Sequence, residues 1–311
     1  MTETKVSAQA AALRRELKLD AEYPFESRFV RTPQGMMHYV DEGSGAPVLL
    51  LHGNPTWSFL WRRFVTGLSE AHRVIAPDHI GFGLSEKPSD SAAYSIDTHI
   101  RNLEALVERL DLTDITLVMQ DWGGPIGLGM AARHPGRIAR LVVMNTFGFW
   151  PPADGMDPEN LPLPAPLRLM RAKGPGDVLV CRFGFFERVV MRMATGDGRA
   201  LRRVHHAYKG VFRSPAERAG VMAFPRLIPT RSAHPSAQIL LRETGPFLER
   251  FEGPARIFWG MKDPLFPPEA LAAWRTRLPQ AEVTELPEAK HYLQEDAPEE
   301  IVAGLHRFLA A

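Results

Sequence analysis

The stretch 115–124, Ile-Thr-Leu-Val-Met-Gln-Asp-Trp-Gly-Gly, limits what this chain can fold into more than any other. Its apolar opening (Ile115, Leu117, Val118) ends on a polar pair, Gln120 and Asp121, followed by Trp122 and two glycines. The run 125–132 then reads as a helix of small residues that stops before Pro135. A buried strand, a tight turn and a helix packed close on the sheet are the context of a nucleophile elbow, whose tip projects one side chain above the sheet. That tip is Ser or Cys in the hydrolytic versions most often met; here it is Asp121. A carboxylate in that place can displace a leaving group from an sp³ carbon and leave an ester on the enzyme. The same residue also reads as a plain N-cap of the helix that follows, and the turn alone does not separate the two.

The segments around the elbow repeat its pattern. Residues 28–39 read as one strand, and 47–51 (Pro-Val-Leu-Leu-Leu) as a second, an unbroken apolar run suited to a sheet covered on both faces. That second strand runs into His52-Gly53-Asn54-Pro55-Thr56-Trp57, a loop at a strand's carboxyl end, where open α/β sheets bind ligands. Residues 61–68 read as helix, 74–76 as strand, and 95–110 as an amphipathic helix capped by Ser95 or Asp97. After the strand 141–145 the alternation breaks at Phe147, and the chain becomes rich in Pro, Arg and Phe up to about residue 230. Helical fragments within it fall at 166–172, 183–193, 200–211 and 216–224. Alternation resumes with a helix at 236–251, strands at 255–259 and 282–286, and helices at 268–278 and 298–310. The expected fold is α/β: a mostly parallel, doubly wound sheet formed by 21–147 and 231–311, a helical cap inserted at 148–230, and an N-terminal mobile or surface helical arm at 1–20.

Bulk properties narrow the function classes. With 37 basic and 36 acidic residues there is no net field to draw nucleic acid or an anionic membrane. Cys181 is alone, which excludes an internal disulfide and argues against a Cys-based metal site. The N-terminus lacks a basic start followed by an apolar core, so no signal peptide is expected. No apolar run approaches the roughly 18 residues of a membrane span, and the expected location is the cytoplasm.

A working Asp121 ester needs a base to activate water and a group to orient that base. Both are available at predicted strand ends: Asp263, in Gly-Met-Lys-Asp-Pro after the strand 255–259, and His291, in Pro-Glu-Ala-Lys-His-Tyr after the strand 282–286. The chain order nucleophile, acid, histidine is the order of α/β hydrolases. His291 would take a proton from water, and Asp263 would fix its tautomer and stabilise the imidazolium. Alone, Asp263 is a turn residue before Pro264 and His291 a surface or satisfied histidine; together, in this order on separate strand ends, they form a constellation.

At these residues the sequence resembles the haloalkane dehalogenases of the α/β-hydrolase superfamily. The resemblance runs over about 23–309 and rests on HGNPTWSFLWR (52–62), PDHIGFGLSEKP (77–88), QDWGGPIG (120–127), WGMKDP (259–264) and AKHYLQED (289–296). It implies nucleophile Asp121, base His291 and acid Asp263. It implies that the side-chain N–H groups of Trp122 and Asn54 hold the leaving halide and that their backbone N–H groups form the oxyanion hole. A halide is a weak base that needs N–H donors in a dry site but no proton. Trp offers a donor and no acceptor, and the Asn amide can turn its NH₂ inward. Some members of that family carry the acid as a Glu after the preceding strand, here near Asn145, and others use a second Trp from the cap, where 151–256 has none. Asp263 and Asn54 are therefore the expected acid and second halide ligand.

The expected reaction is hydrolysis of a carbon–halogen bond to a primary alcohol and halide, with no metal and no organic cofactor. Expected partners are a small apolar halogenated substrate, water and the halide product; a homo-oligomer is compatible with the sequence. The same residues also suit a β-lactone decarboxylase of olefin biosynthesis. An epoxide hydrolase would activate its ring oxygen with two cap tyrosines, and the cap has only Tyr208. A ligand-binding receptor without turnover is the least favoured alternative. Phe183, Phe185, Phe186, Phe212, Phe224, Met191 and Met193 are candidates for an apolar pocket lining, although residues at such spacing are more often simply core.

Overall fold

Strands of Val, Leu and Ile buried on both faces pair stably only in a sheet that helices cover on both sides. In the computed structural model, which describes residues 3–152 and 155–310, eight strands form one sheet in the order β1-β2-β4-β3-β5-β6-β7-β8. They are β1 (Arg28–Thr32), β2 (Gly35–Glu42), β3 (Pro47–Leu51), β4 (Arg73–Pro77), β5 (Ile115–Asp121), β6 (Ile138–Thr146), β7 (Ala255–Gly260) and β8 (Glu282–Leu286). From β3 to β8 all pairings are parallel, whereas β2 runs antiparallel to β4 and β1 to β2. β3, β5 and β7 are buried along their whole length. The single strand expected over 28–39 is instead a hairpin, paired from Thr32↔Gly35 outwards. Pro33, which has no N–H to give a ladder, sits in the turn between β1 and β2, the position where a strand tolerates it.

Four helices frame the sheet's first half: α1 (Glu3–Glu16), α2 (Arg62–Leu68), α3 (Ile96–Arg109) and α4 (Gly123–Arg133). α3 starts at a reciprocal cap, in which the Ser95 hydroxyl accepts from the Thr98 N–H and the Thr98 hydroxyl from the Ser95 N–H. Its apolar stripe, Ile100, Leu103, Leu106 and Val107, is buried. The N-terminal arm is α1, and it is tied down: Arg14 donates to the carbonyls of Phe25 at 2.6 Å and Tyr23 at 2.7 Å, and Val6 and Ala10 are buried.

Between β6 and β7 the chain leaves the sheet. It forms helices at Ala165–Arg171, Gly198–Gly210 and Ala219–Leu227, with wide π-helical turns at Val178–Arg182 and Phe186–Val190. A helical run from Pro235 to Arg250 then returns to pack on α3 and α4. One buried ion pair ties this excursion to the sheet's helices. Arg62 at the start of α2 forks onto Glu295 at 2.6 and 2.9 Å, and the Tyr208 hydroxyl of the helix Gly198–Gly210 donates to the same carboxylate. Bidentate geometry and a third donor are what a buried carboxylate needs to offset its desolvation.

Candidate active site

The elbow is built by close approach. Asp121 sits at the end of β5 with φ +50°, in the left-handed region that costs a non-glycine residue energy and recurs at functional sites. The sharp turn brings its carboxylate against the β3 loop so tightly that a Cβ on Gly53 would collide with Asp121 Oδ2. Gly123 is held likewise, since a Cβ there would strike the Leu51 carbonyl of β3. The Asn54 N–H donates to Asp121 Oδ2 at 2.8 Å, and the backbone N–H of Trp122 faces the same carboxylate. The Thr146 hydroxyl at the end of β6 donates to the Asp121 carbonyl and anchors the turn from the other side. Burial pushes the Asp121 carboxyl up, against the downward pull of the His291 charge and the two N–H donors.

Facing it lies the second half of the constellation. His291 Nδ1 is 2.8 Å from Asp263 Oδ2, and His291 Nε2 is 3.9 Å from Asp121 Oδ1. With Nδ1–H donated to the carboxylate, Nε2 carries the lone pair, the tautomer a general base requires. Burial works to lower the His291 pKa, but the charge and hydrogen bond of Asp263, with Asp121 behind them, outweigh it and hold the imidazole above its ordinary value. Asp263 is itself fixed by two further donors: the Leu265 N–H at 2.7 Å on Oδ1 and the Asn145 side-chain amide at 2.8 Å on Oδ2. The three predicted catalytic residues are thus brought together from three strand ends, all buried.

Asn54 and Trp122 flank Asp121. The indole N–H of Trp122 meets no protein acceptor among the described residues, while its ring stacks on Phe224 at a centroid distance of 4.6 Å. The Asn54 side chain turns its NH₂ toward the cap and gives one hydrogen to the Val221 carbonyl at 3.3 Å. Its Oδ1 is buried and meets no donor among the described residues. Of the apolar residues expected to line a pocket, Phe224 lies against Trp122, and Phe186, Met191 and Phe212 are buried. Phe183 and Met193 are not pocket residues: they are 61% and 66% exposed, each standing just past a wide turn whose buried positions go to Val180 and Phe186. Tyr208, the cap tyrosine, is committed to Glu295.

Several residues shape the site without having been singled out as part of it. Gln120 lies fully buried one residue before the nucleophile, and its NH₂ group reaches both His291 Nε2 at 3.1 Å and the His291 carbonyl at 3.2 Å. A carbonyl can only accept, so the amide nitrogen must face His291, and its second hydrogen meets the Nε2 lone pair. Its polar side chain at the end of an otherwise apolar buried strand was the available signal. Asn145, seen in the sequence only as a missing carboxylate, has φ +33° at the end of β6 and clamps β7 by accepting from the Gly260 N–H at 2.7 Å. Tyr292 donates its hydroxyl to the Asn54 carbonyl at 3.0 Å, tying the histidine loop to the β3 loop. His52 supports that loop from below. It gives Nδ1–H to the Gly53 carbonyl at 2.8 Å and accepts the His79 N–H at 2.9 Å, and burial drives its pKa down to about 4. Among the described residues no group of three or more His, Cys, Asp or Glu is placed to hold a metal ion.

Comparison with known proteins places this geometry. A family model described as the alpha/beta hydrolase fold matches residues 46–298. Haloalkane dehalogenase 2 of Mycobacterium tuberculosis is 39% identical over 284 residues, covering 91% of this chain and 94% of that protein. Cis-3-alkyl-4-alkyloxetan-2-one decarboxylase of Shewanella oneidensis is 38% identical over 294 residues, 94% of this chain and 90% of that one. Among solved structures, the tetrameric haloalkane dehalogenase DpaA from Paraglaciecola agarilytica superposes with a TM-score of 0.77 at 29% identity, covering 94% of this chain and 95% of DpaA.

Proposed function

The chain belongs to the α/β-hydrolase family, in the group that holds the haloalkane dehalogenases, and from that premise we propose how it works. It is a hydrolase of carbon–halogen bonds, converting a haloalkane and water to an alcohol, a halide and a proton. In our reading Asp121 attacks the halogen-bearing carbon, the carbon–halogen bond breaks, and the halide departs toward the N–H groups of Trp122 and Asn54. Water then gives a proton to His291 Nε2 and adds to the ester carbonyl of Asp121. The backbone N–H groups of Asn54, already bonded to that carboxylate, and of Trp122 would hold the oxyanion. Collapse releases the alcohol, and Asp263 keeps the imidazole oriented through both half-reactions. We read 148–230 as a cap that closes the site, since its Val221 and Ala194 carbonyls bond Asn54 and the His291 backbone N–H. An oligomer, as in the tetrameric structural relative, is compatible with this reading.

The observation that carries the proposal is a donor without an acid. Beside the Asp121 carboxylate stands an indole N–H that has no protein acceptor among the described residues, while the hydroxyl of Tyr208 is bonded to Glu295. A leaving group of weak basicity fits such a site; an alkoxide, which needs a proton, does not. The 38% identity to the oxetanone decarboxylase supports a second reading, in which Asp121 opens a β-lactone and carbon dioxide is lost. The test is release of halide and alcohol from 1-bromobutane and 1,2-dibromoethane, with Asp121→Ala as the control. Turnover that vanishes in the variant supports dehalogenation. No halide from either compound, together with carbon dioxide from a dialkyl β-lactone, refutes it in favour of the second reading.

A further inference from the structure

The near-neutral total charge conceals a division. Residues 148–230 carry 13 Lys and Arg against 7 Asp and Glu, although the whole chain has 37 against 36. Exposed apolar side chains are concentrated in the same region. Of the eight large ones that stand out among the described residues, six lie there: Met156, Leu169, Val178, Phe183, Val189 and Met193. Surface apolar residues scattered singly need no explanation, but a cluster rimmed by charge of one sign marks an interaction site.

The wide helical turns explain how the two kinds of residue share one face. Along 178–183 the outward residues are Val178, Arg182 and Phe183; along 186–193 they are Arg188, Val189, Arg192 and Met193. Each set recurs at four- and five-residue intervals, the period of an α- or π-helical turn. Val180, Phe186, Glu187 and Met191 point inward and are buried. The outer face is therefore amphipathic in an unusual sense, with apolar and cationic side chains side by side and no unpaired acid of this segment to balance them. The only acids over 165–193 are Asp177, paired with Arg226, and Glu187, buried against Arg218. Arg168, Lys173, Arg182 and Arg188 are exposed and form no ion pair among the described residues.

We infer that this outer face of the 165–193 segment docks on the surface of an anionic phospholipid bilayer, with Phe183 and Met193 entering the acyl boundary and Arg182, Arg188 and Arg192 meeting the headgroups. Charge complementarity selects this occupant over a second copy of the chain, since two copies of a cationic face repel. Arginine is suited to the place, because its stem covers apolar surface while its head stays with phosphate. Interfacial helices bind through this combination of buried apolar area and attraction to anionic lipid. The residue that ends this segment's last turn reaches the site directly, since the Ala194 carbonyl, next to Met193, accepts the His291 N–H at 3.0 Å. Docking would thus set the active-site cap at the surface where apolar molecules concentrate, and it does not depend on which reaction the site runs.

The experiment is flotation of the full chain with phosphatidylcholine vesicles and with vesicles containing phosphatidylglycerol as the anionic lipid. The expected result is co-flotation with the anionic vesicles only, weakened by salt. Each cation near an anionic surface is worth roughly five-fold in partition, so Arg182→Ser, Arg188→Ser and Arg192→Ser together should cost on the order of 100-fold. Phe183→Ser with Met193→Ser should lower binding while leaving circular dichroism and thermal melting unchanged, which separates lost docking from lost folding. Absence of co-flotation by the wild type, or binding indifferent to both sets of substitutions, overturns the proposal. So does sedimentation showing that the wild type self-associates through this face and that Phe183→Ser with Met193→Ser separates the copies.

Discussion

The floor of the site is made of side chains and its roof of backbone and rings. Asp121, Asp263, His291, Asn54 and Trp122 all follow strands of the sheet, and each catalytic group is held by several partners. Above them, 148–230 contributes the carbonyls of Ala194 and Val221 and the ring of Phe224. A charge moved in or out of place by an ångström changes a barrier by kilocalories, so the floor is over-determined. A roof that excludes water and fits an apolar chain needs only shape, and many sequences supply that.

If this division holds, substitutions in the floor should act on turnover and those in the roof on substrate fit. The largest effect should come from Asp263→Asn, which removes the first of the influences that raise the His291 pKa and presents the imidazole with an amide. We expect ester hydrolysis to slow by about 10³-fold or more. In the wild type the base must be neutral, and a raised pKa favours the cation. Activity should therefore fall as pH drops through a value above the ordinary histidine figure of about 6.5, and Asp263→Asn should move that limb to lower pH. A pH–rate profile of both proteins decides it; an unmoved limb would detach Asp263 from His291.

Gln120→Leu is the intermediate case. Removing the amide that donates to Nε2 and to the His291 carbonyl leaves the ring less constrained. We expect about a ten-fold loss in turnover with little change in KM, consistent with a positioning role; a pure KM effect would place Gln120 on the substrate side. Phe224→Ala opens space beside Trp122 and should mainly raise KM for short haloalkanes, by roughly ten-fold, at nearly constant turnover. A collapse of turnover in steady-state kinetics would mean that the roof also takes part in the chemistry.

The smallest test concerns stability. Whereas His291 is raised, burial lowers His52 to about 4 and His99 to about 3, and carries His79 well down as well. A buried histidine of lowered pKa contributes stability above its unfolded value, which is lost as pH falls toward the folded one. Thermal midpoints should thus decline from about pH 6.5 down to about pH 4, by up to ~1.4 kcal/mol per histidine per pH unit. A midpoint flat across that window would show that these rings are hydrated or already charged.

The same contrast explains what was legible in the chain. Asp121 ends the apolar strand β5, Asp263 stands before Pro264 just past the apolar strand β7, and His291 follows β8, so chain order and strand-end position together reveal them. Asn145 and Gln120 do not announce themselves, because their roles depend on strands adjacent only in the folded sheet: Asn145 reaches Asp263 across 118 positions and Gln120 reaches His291 across 171. The β1–β2 hairpin was missed although Pro33 marked it. In 148–230 the helices were visible, but the faces of Phe183 and Met193 were not. An α-helical period assigns inward positions that the π-helical turns at Val178–Arg182 and Phe186–Val190 redistribute.

The central claim is that carbon–halogen cleavage proceeds through an ester on Asp121 that His291 resolves. It is tested most directly by incubating His291→Gln with 1-bromobutane and measuring halide release together with the mass of the protein. The expected result is one halide per enzyme and a protein heavier by one butyl group, located on Asp121. Sustained halide release without a labelled protein, or a label on any other residue, would contradict it.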